Sequence, residues 1–181
     1  MKIIKNLFSR LRGEQNVDKL IKRGLTIGKN CKLGSCIIDT SHCFHISIGD
    51  NVTFGPKVHI LAHDASTKVF LDYTRVANVR IGSNVFIGAY SILLPGVSIG
   101  NNVIIGAGSI VTHDIPDNSV ALGTPARVVK PLAVFLEARK KEMTENNSFG
   151  EDYTFRNPDF NTAQRQELIE ACNKSGCVYV K

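Results

Sequence analysis

An aliphatic residue recurs at every sixth position from Ile81 to Val111, through IGSNVF, IGAYSI, LLPGVS, IGNNVI and IGAGSI. Neither an α-helix, with its period of 3.6, nor a lone strand, with its period of 2, generates a six-residue beat. Amphipathic helices are further excluded because Gly recurs too often. The same rhythm appears earlier as IGKNCK and LGSCII from Ile27 and as IGDNVT and FGPKVH from Ile48, separated by an irregular stretch at 39–47. Position one is Ile, Leu, Val or Phe, position two is mostly Gly, and position five is Val, Ser, Cys or Ile. The pattern predicts a coil with a corner every six residues. Position one points inward, position five fills the remaining core space, and Gly and Asn take turn positions where φ > 0 is tolerated. Such a coil buries itself only by stacking, with turns roughly 4.8 Å apart.

The rhythm breaks after Ile60 and resumes at Ile81. A solenoid has smooth faces, so a binding site has to come from an insertion. The segment from about 64 to 80 is expected to leave the coil and wall a pocket, with His63 at its root. Taken alone, a histidine at a loop root reads as structural.

At 181 residues the chain fits one domain with extensions. It has no apolar run of about 18 residues that would cross a membrane as a helix. No secretory leader is visible, so a cytoplasmic protein is expected. The net charge of +6 is uneven. Residues 1–23 carry seven Lys and Arg against Glu14 and Asp18, whereas 24–130 and 131–181 are close to balanced. KIIKNLFSRLRG places Ile3, Ile4, Leu7, Phe8 and Leu11 on one helical face with cations opposite. This arm fits packing on its own domain or a sister subunit, with peripheral contact to the inner face of a membrane through residues 1–23 as the other reading. Nucleic acid is not an expected partner, because the repeat domain has no basic, aromatic-rich patch. Five cysteines include no CxxC pair. The grouping of Cys36, Cys43, His42 and His45 matches no zinc spacing, so free thiols and no metal are expected.

Together these residues resemble the hexapeptide-repeat acyltransferases, whose signature is [LIV]-G-x-x-[AVSC]-x in tandem. The resemblance covers about residues 25–130. It implies a mainly β fold, a left-handed parallel β-helix, with a short N-terminal helical arm (1–24), one protruding loop and a C-terminal helical tail (131–181). Three further features resemble the sugar O-acetyltransferase branch, which includes maltose, galactoside and capsule-associated enzymes. They are ILAHDAST, the block IGAGSIVTHDIPDNSVALGTPARVV, and the leader VDKLIKRGLTIG.

The resemblance implies acetyl-CoA as co-substrate, a saccharide acceptor in surface-polysaccharide synthesis, and a homotrimer with sites between neighbours. Its catalytic histidine falls on His63, a general base, and the backbone N–H near Ala89 would stabilise the oxyanion. Ala89, Ala107 and Thr112 would contact the pantetheine arm through backbone groups, and Gly106 and Gly108 would keep that surface low. Arg127 and Lys130, in and after GTPAR, would pair with phosphates. His113 stands where relatives carry Lys or Arg and reads equally as a phosphate contact or a solvated turn residue. His42 and His45 lie one coil before His63 and are candidates to line the acceptor pocket; relatives of the maltose type carry Asn and Asp there. Asp39 and Asp64 are candidates to orient the His63 ring, since a base needs a fixing partner. His59 reads as a solvated outward residue.

Two rivals stay open. One is a serine or amino-sugar acetyltransferase on the same helix. The other is a non-enzymatic or metal-binding β-helix of the carbonic-anhydrase kind, which needs three histidine ligands. In the tail, LAVFLEARKKEM reads as helix, NNSFGEDYTFRNPDFN as loop, TAQRQELIEACNKSG as a capped helix from Thr162 to about Gly176, and CVYV as a last strand.

Overall fold

The six-residue period winds into a coil of three parallel sheets. In the computed structural model, which describes residues 15–181, the chain divides into two units, Met1–Ala133 and Val134–Lys181. The basic face expected for KIIKNLFSRLRG falls outside the described residues. Helix α1 (Val17–Lys22) precedes the coil, N-capped by the Asn16 side chain, and sends Leu20 into the core.

Coil one holds β1 (Thr26–Ile27) and β2 (Ile37–Ile38), and coil two holds β3 (Ile46–Ile48), β4 (Thr53–Phe54) and β5 (His59–Ile60). An excursion follows, made of β6 (His63–Asp64), the short helix α2 (Lys68–Leu71) and β7 (Arg75–Val76), with β6 and β7 antiparallel. Coil three is β8 (Val79–Ile81), β9 (Val85–Ile87) and β10 (Ile92–Leu93), and coil four is β11 (Ser98–Ile99), β12 (Val103–Ile105) and β13 (Ile110–Val111). Then β14 (Ser119–Gly123) and β15 (Ala126–Pro131) close the end as an antiparallel pair. The faces are β1-β3-β8-β11, β2-β5-β10-β13 and β4-β9-β12-β14-β15.

Position one forms the core column. Ile48, Phe54, Ile60, Ile81, Ile87, Leu93, Ile99, Ile105 and Val111 are all buried, as are the position-five residues Val52, Val58, Val85, Val97 and Val103, with Ser91 and Ser109. Each fully enclosed Ile or Leu contributes about 1.5–3 kcal/mol relative to exposure.

Gly and Asn divide the roles expected of both. Asn30, Asn51, Asn84, Asn102 and Asn118 adopt φ of 55–57° at one corner. Their side chains form a ladder, Nδ2 of each donating to Oδ1 of the next at 3.2, 3.0, 3.1 and 3.0 Å. Apart from Gly34, with φ 52°, the glycines of position two do not use positive φ. A Cβ on Gly82 would stand 2.6 Å from the Gly100 carbonyl oxygen, so that hydrogen atom is what lets successive coils stack.

Register locates the two irregular segments. Partners in coils three and four stand eighteen residues apart, as in Ile81↔Ile99 and Leu93↔Val111. Between coils two and three the spacing is thirty-three, as in Ile60↔Leu93, so fifteen residues are extra. Ten residues separate Ile38 from Ile48 where six suffice, and the surplus holds a 3-10 turn at Cys43–His45. Both surpluses leave the coil at the same corner, after β2 and after β5. The stacked pair of insertions positions the site.

The second unit contains most of α3 (Leu132–Glu142), then β16 (Ser148–Phe149), α4 (Thr162–Ser175) and β17 (Tyr179–Val180). α4 begins in a capping box of Asn161 and Gln164 and ends at Gly176 with φ 79°. The stretch read as loop instead holds β16 and a 3-10 turn at Glu151–Tyr153. Its backbone is recruited by CVYV, since β17 pairs with β16 in parallel.

Candidate active site

Asp39 opens the first insertion and is buried, its side chain 1% exposed. Four donors converge on its carboxylate. The N–H groups of Ser41 and His42 donate to Oδ1 at 3.0 Å each, the N–H of Ala62 to Oδ2 at 3.1 Å, and Nδ1 of His63 also bonds to Oδ2. Burial pushes the Asp39 carboxyl up, but the bonds from His63 and from the His42 and Ala62 backbone outweigh it and hold the pKa below its ordinary value. Asp39 is therefore an ionised acceptor, and His63 Nδ1 must be its donor. That places the His63 lone pair on Nε2. The ring is 34% exposed, so the lone pair faces outward.

Coil stacking makes this contact. The Asp39 N–H donates to the Ile60 carbonyl at 2.9 Å, which sets the first insertion beneath the root of the second. Asp64, the other candidate partner, does not reach the ring. Its exposed carboxylate accepts from the Ser66 N–H at 2.8 Å, and that bond holds its pKa below the ordinary value.

His42 and His45 join the same corner. The His42 ring centroid lies 4.8 Å from that of His63 and 6.4 Å from that of His45. His45 Nδ1 lies 2.7 Å from Asn78 Oδ1, which ties the first insertion to the end of the second. Phe44, 56% exposed, completes the row, 4.6 Å from His45 and 6.1 Å from His42. Phe44 and Asn78 were not among the residues singled out by sequence. Asn78 stands just ahead of the resumed period, and that position is the one signal that could have found it.

Asp39, His42 and His63 each offer a ligand-type atom within 4.8 Å of the others. With about four lone-pair sites on a carboxylate and four N–H donors already on Asp39, a metal would have to displace the bond from His63. His45 does not enter that cluster, so within one chain the described residues do not bring three histidine ligands together there. Among the described residues no thiolate nucleophile stands by either: Cys43 is fully buried, and burial pushes the Cys36 thiol up to about 11.

The remaining candidates fall elsewhere on the coil. Ala89 and Ala107 occupy another corner, one above the other, because a Cβ on Gly55 or Gly88 would press on their backbone nitrogens. Among the described residues neither N–H has a hydrogen-bond acceptor. Gly108 faces open space, as expected for a low surface, but Gly106 does not: a Cβ there would meet Leu122 Cβ at 2.8 Å, so Gly106 serves coil stacking. Thr112 and His113 follow β13 at the insertion corner, bonded to each other at 2.7 Å. Arg127 and Lys130 are exposed on β15, and Arg127 donates to the Ala126 carbonyl at 3.0 Å. His59 is half-buried on β5.

A histidine held through Nδ1 by a buried carboxylate, with Nε2 left as an acceptor at the root of an insertion, has the chemistry to accept a proton. The chain belongs to the hexapeptide-repeat acyltransferase family; residues 78–113 match the family described as bacterial transferase hexapeptide (six repeats). It is 40% identical over 153 residues to Protein CapG of Staphylococcus aureus, covering 81% of this chain and 87% of that protein. Among solved structures it is similar to a maltose O-acetyltransferase from Clostridium difficile 630, with 30% identity, a TM-score of 0.53, and coverage of 70% of this chain and 83% of that one. It is also similar to a hexapeptide-repeat acetyltransferase of Vibrio cholerae in complex with acetyl-CoA, with 27% identity and a TM-score of 0.52, over 59% of each chain.

Proposed function

We propose that this protein transfers an acetyl group from acetyl-CoA to a hydroxyl of a saccharide, with His63 as the general base. The observation that carries the reading is the His63 ring held through Nδ1 by the buried Asp39 carboxylate, which leaves the Nε2 lone pair outward. Relatives bearing an acetyl-CoA complex and a sugar O-acetyltransferase name support the donor and the acceptor class.

The reaction needs no acyl-enzyme. His63 Nε2 takes the hydroxyl proton as the oxygen attacks the thioester carbonyl. The imidazolium that forms is stabilised by Asp39, and it returns the proton to the departing CoA sulfur. Holding both substrates together supplies much of the rate. The unpaired Ala89 N–H is of the type that stabilises the tetrahedral oxyanion. Ala107 and Thr112 would meet the pantetheine arm, and Arg127 and Lys130 the phosphates.

His63, in the excursion after coil two, and Ala89, in coil three, lie at different corners of the solenoid, so a site holding both is completed between neighbouring chains. A homotrimer with the family's left-handed winding satisfies this, as a proposal. Synthesis of a surface polysaccharide in the cytoplasm, at the inner face of the membrane, is the setting in which such an acceptor would be met.

The test is acetyl transfer from acetyl-CoA to a panel of methyl glycosides, followed by CoA thiol release and product mass. Acetylated glycoside is the expected result. Acetyl transfer to serine or an amino group with no glycoside modified would overturn the reading.

A further inference from the structure

His42 is the one described side chain with a sealed polar atom and no hydrogen-bond partner. Its Nδ1 is shut off from solvent and lies 4.0 Å from Asp39 Oδ1, too far for a hydrogen bond. The side chain as a whole is 28% exposed. Its other nitrogen, Nε2, is not among the sealed atoms, so the ring has one closed edge and one open edge.

The closed edge fixes the proton. A lone pair on the sealed Nδ1 would stand 4.0 Å from an anionic oxygen and be repelled by it, whereas an N–H dipole there is attracted to it. The favoured tautomer carries the proton on Nδ1 and leaves an acceptor lone pair on Nε2. His63 is under the same constraint from the other oxygen of the same carboxylate. One aspartate thus sets both imidazoles, and it also holds the His42 backbone N–H at 3.0 Å.

Two open Nε2 acceptors on rings whose centroids are 4.8 Å apart call for a ligand with two neighbouring O–H donors. We propose that His42 Nε2 accepts a hydrogen bond from a second hydroxyl of the acceptor, so that the substrate class is a sugar ring with a free hydroxyl beside the one acetylated. This rests on the sugar O-acetyltransferase reading above. One hydroxyl yields its proton to His63 and is acylated; the other donates to His42 and stays unmodified. An isolated alcohol such as a serine side chain would leave His42 Nε2 without a donor. The exposed Phe44 ring, 6.1 Å from His42, offers an apolar neighbour suited to the C–H face of such a ring.

Two experiments test this. Long-range proton–nitrogen NMR of the uniformly labelled protein near neutral pH should show both His42 and His63 protonated on Nδ1; a His42 proton on Nε2 overturns the proposal without touching the role of His63. Kinetics then use methyl galactoside and methyl glucoside, each with its monodeoxy analogues. Loss of the hydroxyl next to the acetylated one should lower wild-type kcat/KM by about 3- to 10-fold, the range for one net hydrogen bond lost at a group that water can reach. His42→Phe should lower the parent glycoside by a similar factor and lose the preference, whereas His42→Gln, whose carbonyl can accept a hydroxyl, should keep part of it. Equal rates on parent and deoxy sugars in the wild type, or an unchanged preference in His42→Phe, would refute the proposal. If the wild type acetylates none of these glycosides, the saccharide reading itself falls, and this inference with it.

Discussion

Replacing Asp39 by Asn changes one oxygen into an NH2 group, and its four donors determine the cost. The carboxylate accepts from Ser41 and His42 N–H at Oδ1 and from Ala62 N–H and His63 Nδ1 at Oδ2. An amide keeps one of those pairs. With its oxygen toward Ser41 and His42, its NH2 faces the Ala62 N–H and the His63 ring. The Ala62 donor, on a residue that is 0% exposed, loses its acceptor, which costs about 1–3 kcal/mol of stability. His63 can then meet the amide only by presenting a lone pair at Nδ1, so its proton moves to Nε2 and the base is lost. Turnover should drop by about 10²–10⁴-fold. The opposite flip spares His63 but sets NH2 against two turn donors, breaking two bonds to keep two. Steady-state CoA release at saturating acetyl-CoA, with calorimetry to confirm that donor affinity is kept, is the assay. An Asp39→Asn protein with wild-type kcat would refute the claim that this carboxylate sets the histidine.

The same residue predicts an acid limb of stability. Its folded pKa lies below the unfolded value of about 3.9, so the stabilisation is intact above that pH and is lost as pH falls through the lower folded pKa. Denaturant midpoints of the wild type should therefore decline below about pH 4, and Asp39→Asn should lack that share of the decline. Gly82→Ala should destabilise by about 1–3 kcal/mol, because the new methyl meets the Gly100 carbonyl oxygen at 2.6 Å and two coils must part; an unchanged thermal midpoint would count against the stacking role. Arg127→Ala should weaken acetyl-CoA binding by about 10- to 100-fold in calorimetry if Arg127 pairs with a phosphate, with little effect on fold because its side chain reaches only the Ala126 carbonyl.

The core column was legible because the coil reports its geometry one residue at a time: position one from Ile48 to Ile60 and from Ile81 to Val111 is buried without exception. The Gly role is only partly legible, since a six-residue pattern shows that a small residue is required but not whether dihedral angle or close approach requires it. Asn84, with φ 57°, and Gly82, against Gly100, separate the two causes. At the site, the break in the repeat singles out the position of His63, while its role comes from the family resemblance and not from the break. The choice between Asp39 and Asp64 was not marked, because Asp64 is its sequence neighbour while Asp39 arrives only through stacking, under Ile60. That placement depends on coil one being one residue short, with Ile38 rather than residue 39 opposite Ile60, a register that only pairing reveals. The first insertion looked merely irregular in sequence. Its role comes from leaving the coil at the same corner as the second.

The measurement that bears most directly on the account is turnover by His63→Gln. The variant leaves the aliphatic column untouched, and its carboxamide can still donate to Asp39. It should therefore fold and bind acetyl-CoA with wild-type affinity in calorimetry, while kcat for acetyl transfer falls by about 10²–10⁴-fold. A folded His63→Gln protein that binds acetyl-CoA and acetylates its glycoside at the wild-type rate would contradict the assignment of His63 as the base.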